Sequence, residues 1–218
     1  MDKNTQTAYR RNLKGMILDV AMHEFYSNGI KSVKMDDIAK KLQISKRTLY
    51  EIYGNKEELL LEGLRRDELF FEKQLQHFAS EQARNVMEIV MKFFQMQMKR
   101  LAMVNPCFFV ELHKYDLIVS YLDKVHIRRN VRSVEFFKTG IKEGLFKEDL
   151  DYELISLLCE EMIRGVMAKE LYRVYDLQHI FRNIIIVFVR GFATKEGIAV
   201  IDKLLAKENL GLEESSKF

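Results

Sequence analysis

Lys46, Arg47 and Thr48 stand side by side, followed at short intervals by Tyr50, Tyr53 and Lys56, in the run SKRTLYEIYGNK. Lysine and arginine donate to guanine O6 and N7, and threonine meets a thymine methyl or a phosphate. Tyrosine hydroxyls donate to phosphates, which fixes position rather than sequence. Lys56 is predicted to open a helix, where its charge and the free backbone N–H groups both suit a phosphate. The chemistry on offer is recognition of a duplex, not bond making. No GxGxxG, phosphate-loop, HExxH or GxSxG pattern occurs. The five histidines are scattered, and the i, i+3 pairs His113/Asp116 and Asp123/His126 read as surface ion pairs rather than metal ligands. The chain is therefore read as a non-enzyme with no cofactor and no metal.

Side chains that read a groove need a helix to carry them and a second helix to brace it. The apolar spacing supplies both. Leu13, Ile17, Val20, Ala21 and Phe25 recur at helical intervals over 9–28, and Asn28-Gly29 stops that helix. A second helix is predicted over Met35–Lys41, with Ile38, Ala39 and Leu42 inward. After a short break at Gln43-Ile44, Ser45 caps a third helix, Lys46–Ile52. Leu49 and Ile52 point back to the core, which leaves Lys46, Arg47 and Thr48 in the turn that enters a major groove. This is the pattern of a helix-turn-helix at about 35–53. Lys56 opens a fourth helix, predicted to about Phe78.

Composition agrees. The 218-residue chain is 48% apolar and 31% charged, a globular balance. It carries one proline, Pro106, where about eleven would be usual, and ten glycines. Strand-rich folds need more turn residues than this, so an all-α fold is predicted. Further helices are expected at 82–104, 107–119, 122–143, 151–173, 177–194 and 196–208, with a frayed tail at 211–218. The N-terminus lacks an apolar leader, the longest apolar run (Ile184–Val189) is far short of a membrane span, and the two cysteines, Cys107 and Cys159, form no CxxC pair. A cytoplasmic protein with no membrane contact is expected. Net charge is +3, but residues 1–66 hold 13 Lys+Arg against 9 Asp+Glu while the rest is nearly balanced. The basic excess thus sits with the candidate reading head.

The stretch GIKSVKMDDIAKKLQISKRTLYEIYGNKEELLL resembles the DNA-binding domain of the tetracycline-repressor (TetR) family of bacterial transcriptional regulators. Ala21, Phe25, Gly29, Ile38-Ala39, Ile44-Ser45, Thr48-Leu49-Tyr50 and Asn55-Lys56-Glu57-Glu58-Leu59 carry the likeness, in order, over about fifty residues. GIKEGLFKEDLDYELISLL at 140–158 is similar to that family's link into its penultimate helix. The resemblance implies a homodimer with a DNA-binding domain at 1–56 and a ligand-binding and dimerising bundle at 57–210. It implies a repressor of a near-palindromic operator that a small molecule releases, or alternatively a DNA-binding protein without a ligand that acts through a protein partner. It makes Lys46, Arg47 and Thr48 base readers, and Tyr50 and Lys56 backbone contacts. The chain departs from the pattern where Lys34 replaces a Ser/Thr helix cap, Gln43 a turn glycine and Arg47 a small residue. Lys34 is then free to reach a phosphate. Arg10-Arg11 could enter a minor groove, though exposed basic termini are common.

In the bundle, Met87, Met91, Met96, Met98 and Met103 accompany Phe93 and Phe94. Methionine adapts to irregular space. A pocket for an apolar or amphipathic effector is predicted at Met87, Met91, Phe94, Gln95, Met98, Phe109, His113 and Tyr121. Ordinary core is the competing reading at each position. The dimer face is predicted on the last long helices, at Leu154, Leu158, Met162, Gly165 and Val166 and at Ile180, Ile184, Phe188 and Gly191. Two such helices from each protomer would form a four-helix bundle.

Overall fold

The computed structural model describes residues 3–215. The chain is all α: α1 (Lys3–Asn28), α2 (Met35–Lys41), α3 (Lys46–Ile52), α4 (Lys56–Glu81), α5 (Val86–Met103), α6 (Pro106–Leu112), α7 (Asp116–Lys142), α8 (Tyr152–Ala168), α9 (Leu177–Phe192) and α10 (Lys195–Ser215). A short 3-10 turn at Leu171–Arg173 follows α8. Among the described residues the only extended pairing is one isolated bridge, Phe146 with Ala193. Of the expected tail at 211–218, 216–218 lie outside the described residues, and α10 continues to Ser215. No helix of the described residues is long and apolar enough to cross a membrane.

Local chemistry accounts for most helix starts. Ser45, Asn105, Asp151 and Asp176 each accept a backbone N–H from the first turn they precede. Asn55 Oδ1 accepts from Glu58 N–H at 2.9 Å, and Glu58 returns the favour by accepting from Asn55 Nδ2 at 3.2 Å. Lys34 is the exception: it caps α2 with no side-chain bond. At the other end of α2 the chain closes in a Schellman turn, with Ile44 N–H on Ala39 O at 3.0 Å and Gln43 N–H on Lys40 O at 3.1 Å. That turn holds Gln43 left-handed, at φ 54°. The turn keeps the shape a glycine would give it, and Gln43 bears a strain of roughly 1 kcal/mol.

The chain forms two compact units. The first comprises the described parts of Met1–Phe71 with Met103–Lys124, the second Glu72–Ala102 with the described parts of Val125–Phe218. In the first, Ile17, Phe25, Ile30, Ile38, Leu49, Leu59, Leu60, Phe108 and Ile118 form one core. Gly63 lets α1 lie close against α4, because a Cβ there would meet Met22 Sδ at 2.2 Å. Tyr26 donates to Asp67 at 2.7 Å, and Arg66 bridges to Asp19 at 2.6 Å. Asn105 ties α6 to the end of α1 by donating its N–H to Tyr26 O at 2.7 Å.

In the second unit, Met87, Met91, Phe94, Phe146, Phe192 and Ile201 form the core. Phe137 stacks on Tyr152 at 4.4 Å, and Phe146 meets Phe192 edge-on at 5.0 Å. The predicted 107–119 and 122–143 helices are redrawn. α6 ends at Leu112, and α7 runs unbroken from Asp116 through the expected break. The cap of α7 is remote in sequence: Glu57 Oε1 accepts the Leu117 N–H at 3.0 Å.

Candidate nucleic-acid interface

Ser45 sets the geometry of the reading helix. Its Oγ accepts from Thr48 N–H at 3.0 Å and pairs with the Thr48 hydroxyl at 2.8 Å. Leu49 is buried and Ile52 half-buried, so they hold the inner face of α3 on the core. Lys46, Arg47, Tyr50 and Glu51 are left on the outer face, all exposed, with Thr48 half-buried at its edge. The Arg47 side chain is 88% exposed.

The cations on this face have acidic neighbours. Lys46 Nζ pairs with Asp36 on α2. Arg47 Nε donates to Glu51 Oε1 at 2.8 Å, one helical turn on. Asp36 holds the Lys46 ammonium above the usual lysine range, and Glu51 does the same for the Arg47 guanidinium. Both side chains are therefore cationic at any physiological pH. Arg10 Nη2 reaches the Glu51 carbonyl at 3.4 Å, which sets Arg10 beside α3; Arg10 and Arg11 lie within α1 rather than on a separate arm. Lys34 is exposed at the head of α2.

Two expected phosphate contacts are placed differently. Tyr53 is only 3% exposed. It follows α3 in an extended conformation, which turns the ring into the core under Lys14, whose Nζ lies 5.5 Å from the ring centre. Its hydroxyl is buried without a hydrogen-bond partner among the described residues, and burial pushes its pKa well up. A hydroxyl in that position cannot reach a phosphate without unpacking. Lys56 is half-buried, and its Nζ donates to Ile30 O at 2.8 Å and Val33 O at 3.0 Å. Burial lowers its pKa from the ordinary lysine value. Its charge fastens the turn between α1 and α2. The carboxylates Asp36 and Glu51 were missed by sequence reading, although the i, i+4 spacing of Arg47 and Glu51 was there to find.

The expected effector residues are divided between the two units. Met87, Met91 and Phe94 are core, and Gln95 and Met98 are half-buried. Phe109, His113 and Tyr121 belong to the first unit, with His113 exposed. The second unit instead holds an apolar cleft of about 630 Å³ along the other face of α5. Ile89, Val90 and Phe93 line it with Phe136 and Phe137 of α7, Ile155 and Cys159 of α8, and Ile185, Phe188 and Phe192 of α9. Of its polar side chains, three have partners that offset them, while Gln76 is exposed at its edge. Arg132 lies 3.4 Å from Glu72, Glu160 lies 3.3 Å from His126, and Ser156 donates to Tyr152 O at 2.9 Å. Burial raises the Cys159 thiol, which keeps it protonated and unreactive. Among the described residues, no three His, Cys, Asp or Glu side chains form a metal-binding group.

The residues expected at a dimer face divide. Leu154, Leu158, Met162 and Gly191 are exposed, with Leu158 at 52%. Gly165, Ile180 and Phe188 are half-buried, and Phe188 lines the cleft. Val166 and Ile184 are buried within the chain. Leu157 and Val187 add to the exposed apolar surface of α8 and α9.

Residues 17–62 match the bacterial regulatory proteins of the tetR family. No curated protein matches the chain. Solved structures share its fold. A protein from Saccharomonospora viridis, solved in complex with choline, superposes with a TM-score of 0.68 at 20% identity, over 85% of this chain and 100% of that one. A TetR-family transcriptional regulator from Agrobacterium tumefaciens gives 0.67 at 14% identity, over 85% and 100%. The fatty acid degradation regulator FadR from Bacillus halodurans gives 0.63 at 20%, over 82% and 95%. At such identities the likeness is one of fold.

Proposed function

We propose that this chain, whose residues 17–62 place it among the bacterial regulatory proteins of the tetR family, is a homodimeric repressor of a near-palindromic operator, released by an apolar effector. One observation carries the DNA-binding reading. The outer face of α3 presents Lys46, Arg47 and Tyr50 to solvent, while Leu49 anchors the helix to the core. Arg47 and Lys46 then read base edges, and Tyr50, Lys34 and the α1 residues Arg10 and Arg11 position the protein on the backbone.

Leu154, Leu158 and Met162 support dimerisation through α8 and α9. They form an exposed apolar stripe at helical spacing. Gly165 and Gly191 face open space within the chain, which suits close approach of a second copy. A two-fold dimer whose reading helices lie about 34–36 Å apart docks both in successive major grooves.

The cleft of the second unit supports the effector reading and suggests its chemistry. With an almost wholly apolar lining and its charged side chains Arg132 and Glu160 already paired, it suits an uncharged, largely apolar molecule. α4 runs through both compact units, and so offers a continuous element on which an effector could act. Clean switching requires the effector to favour the non-binding state by about 5 kcal/mol. Equal effector affinity for free and DNA-bound protein contradicts that mechanism.

Selection of duplexes from a random pool tests the reading. The wild type is expected to recover a two-fold-symmetric site, and the Arg47→Ala, Tyr50→Ala double variant to recover none while remaining folded. Recovery of the same consensus by both proteins would remove α3 as the reader.

A further inference from the structure

Arg47 holds a specific part of itself out to solvent. Its Nε is occupied by Glu51 Oε1 at 2.8 Å. Nη1 and Nη2 carry no hydrogen bond to any described residue. The guanidinium is planar, so fixing Nε one turn along α3 fixes the direction in which its two terminal nitrogens point. Those two nitrogens form the fork that donates to guanine O6 and N7 together. Lys46, its neighbour, is tethered by a point charge to Asp36 across the turn and has no such fork.

We infer that Glu51 is a positioning residue that aims Arg47 at a guanine, so that each half of the operator carries one guanine read by this pair. The inference rests on α3 being the DNA-reading helix. Two consequences have opposite signs. Glu51 is a carboxylate on the face that meets a polyanion, so it weakens sequence-independent attraction to phosphates. It also removes rotameric freedom from Arg47 before contact, which favours the guanine over other bases. Replacing Glu51 therefore leaves total DNA affinity equal or higher while discrimination at one position falls. A residue that merely stabilised α3 would lower affinity at every position together.

The test repeats the random-pool selection with Glu51→Ala, Glu51→Gln and Arg47→Ala, each checked for wild-type helicity and thermal midpoint. The wild type is expected to enrich one guanine per half-site. Arg47→Ala should lose enrichment at that position alone. Glu51→Ala should lower the guanine preference there by about 2-fold, with the remaining positions unchanged and binding to unrelated duplex undiminished. Glu51→Gln keeps an acceptor for Nε in the same place and should retain most of the preference. The inference is overturned if Glu51→Ala keeps the wild-type guanine preference, or if its losses spread evenly over the site. A wild type that recovers no symmetric site overturns it together with the reading on which it rests.

Discussion

A hydroxyl and an ammonium separate the roles that residue type alone could not. Tyr53 and Lys56 have the chemistry of phosphate contacts, yet the fold buries the first and pairs the second with backbone carbonyls. Residue type and spacing state what a side chain can do. Where it points also depends on backbone dihedrals at the end of α3 and on carbonyls some 25 residues away, which no local pattern records. Tyr53→Phe is expected to leave operator affinity unchanged. It should be neutral or raise stability by up to ~1 kcal/mol, because it removes a buried hydroxyl with no partner among the described residues; denaturant unfolding and a binding titration check both halves. Lys34→Thr should do two things at once. A hydroxyl at the uncapped head of α2 adds about 1 kcal/mol of stability. Losing the lysine should weaken DNA binding and flatten its salt dependence by about one ion, measured as the slope of log affinity against log salt. A stabilised variant with an unchanged slope would place Lys34 away from the phosphates.

Helices 1 to 4 were legible because their signals are local: apolar spacing, a serine or asparagine cap, and Asn28-Gly29 as a stop. The boundary between α6 and α7 was not, because Glu57 supplies a cap from another helix. The expected pocket residues of α5 and the cleft lie on different faces of that helix. Met87, Met91 and Phe94 recur at i, i+4, i+7 and form the tightly packed stripe, whereas Ile89 and Phe93, on the opposite face, border open space. A methionine-rich stripe marks adaptable packing, and adaptable packing serves a core as well as a cleft. Unequal costs of truncation follow. Phe94→Ala should destabilise by about 3–5 kcal/mol because it opens a cavity in a closed core. Phe93→Ala only widens an existing cleft and should cost less than half of that. Equal losses in chemical denaturation would contradict this division of the α5 faces.

The proposed division of labour follows the two compact units, with the basic excess in the first third of the chain and the large apolar cleft in the second unit. The all-α class followed from scarce proline and glycine together with helical spacing nearly throughout. The dimer face was only partly legible, since α8 and α9 each have two apolar sides and periodicity does not say which is used inside the chain. Leu154, Leu158 and Met162 of α8 and Val187 of α9 are exposed, while Val166 of α8 and Ile184 of α9 turn inward, which is the division the dimer proposal uses. The central claim is that two copies read one symmetric site through α3. Its most direct test is a titration of the selected duplex against the same duplex with one half-site scrambled, using wild type and Leu158→Glu with mass measured by sedimentation. The account predicts two protomers per wild-type complex, a preference for the full site of at least about 100-fold, and a monomeric Leu158→Glu protein that binds both duplexes equally weakly. Equal wild-type affinity for the two duplexes, with one protomer bound to each, would contradict it.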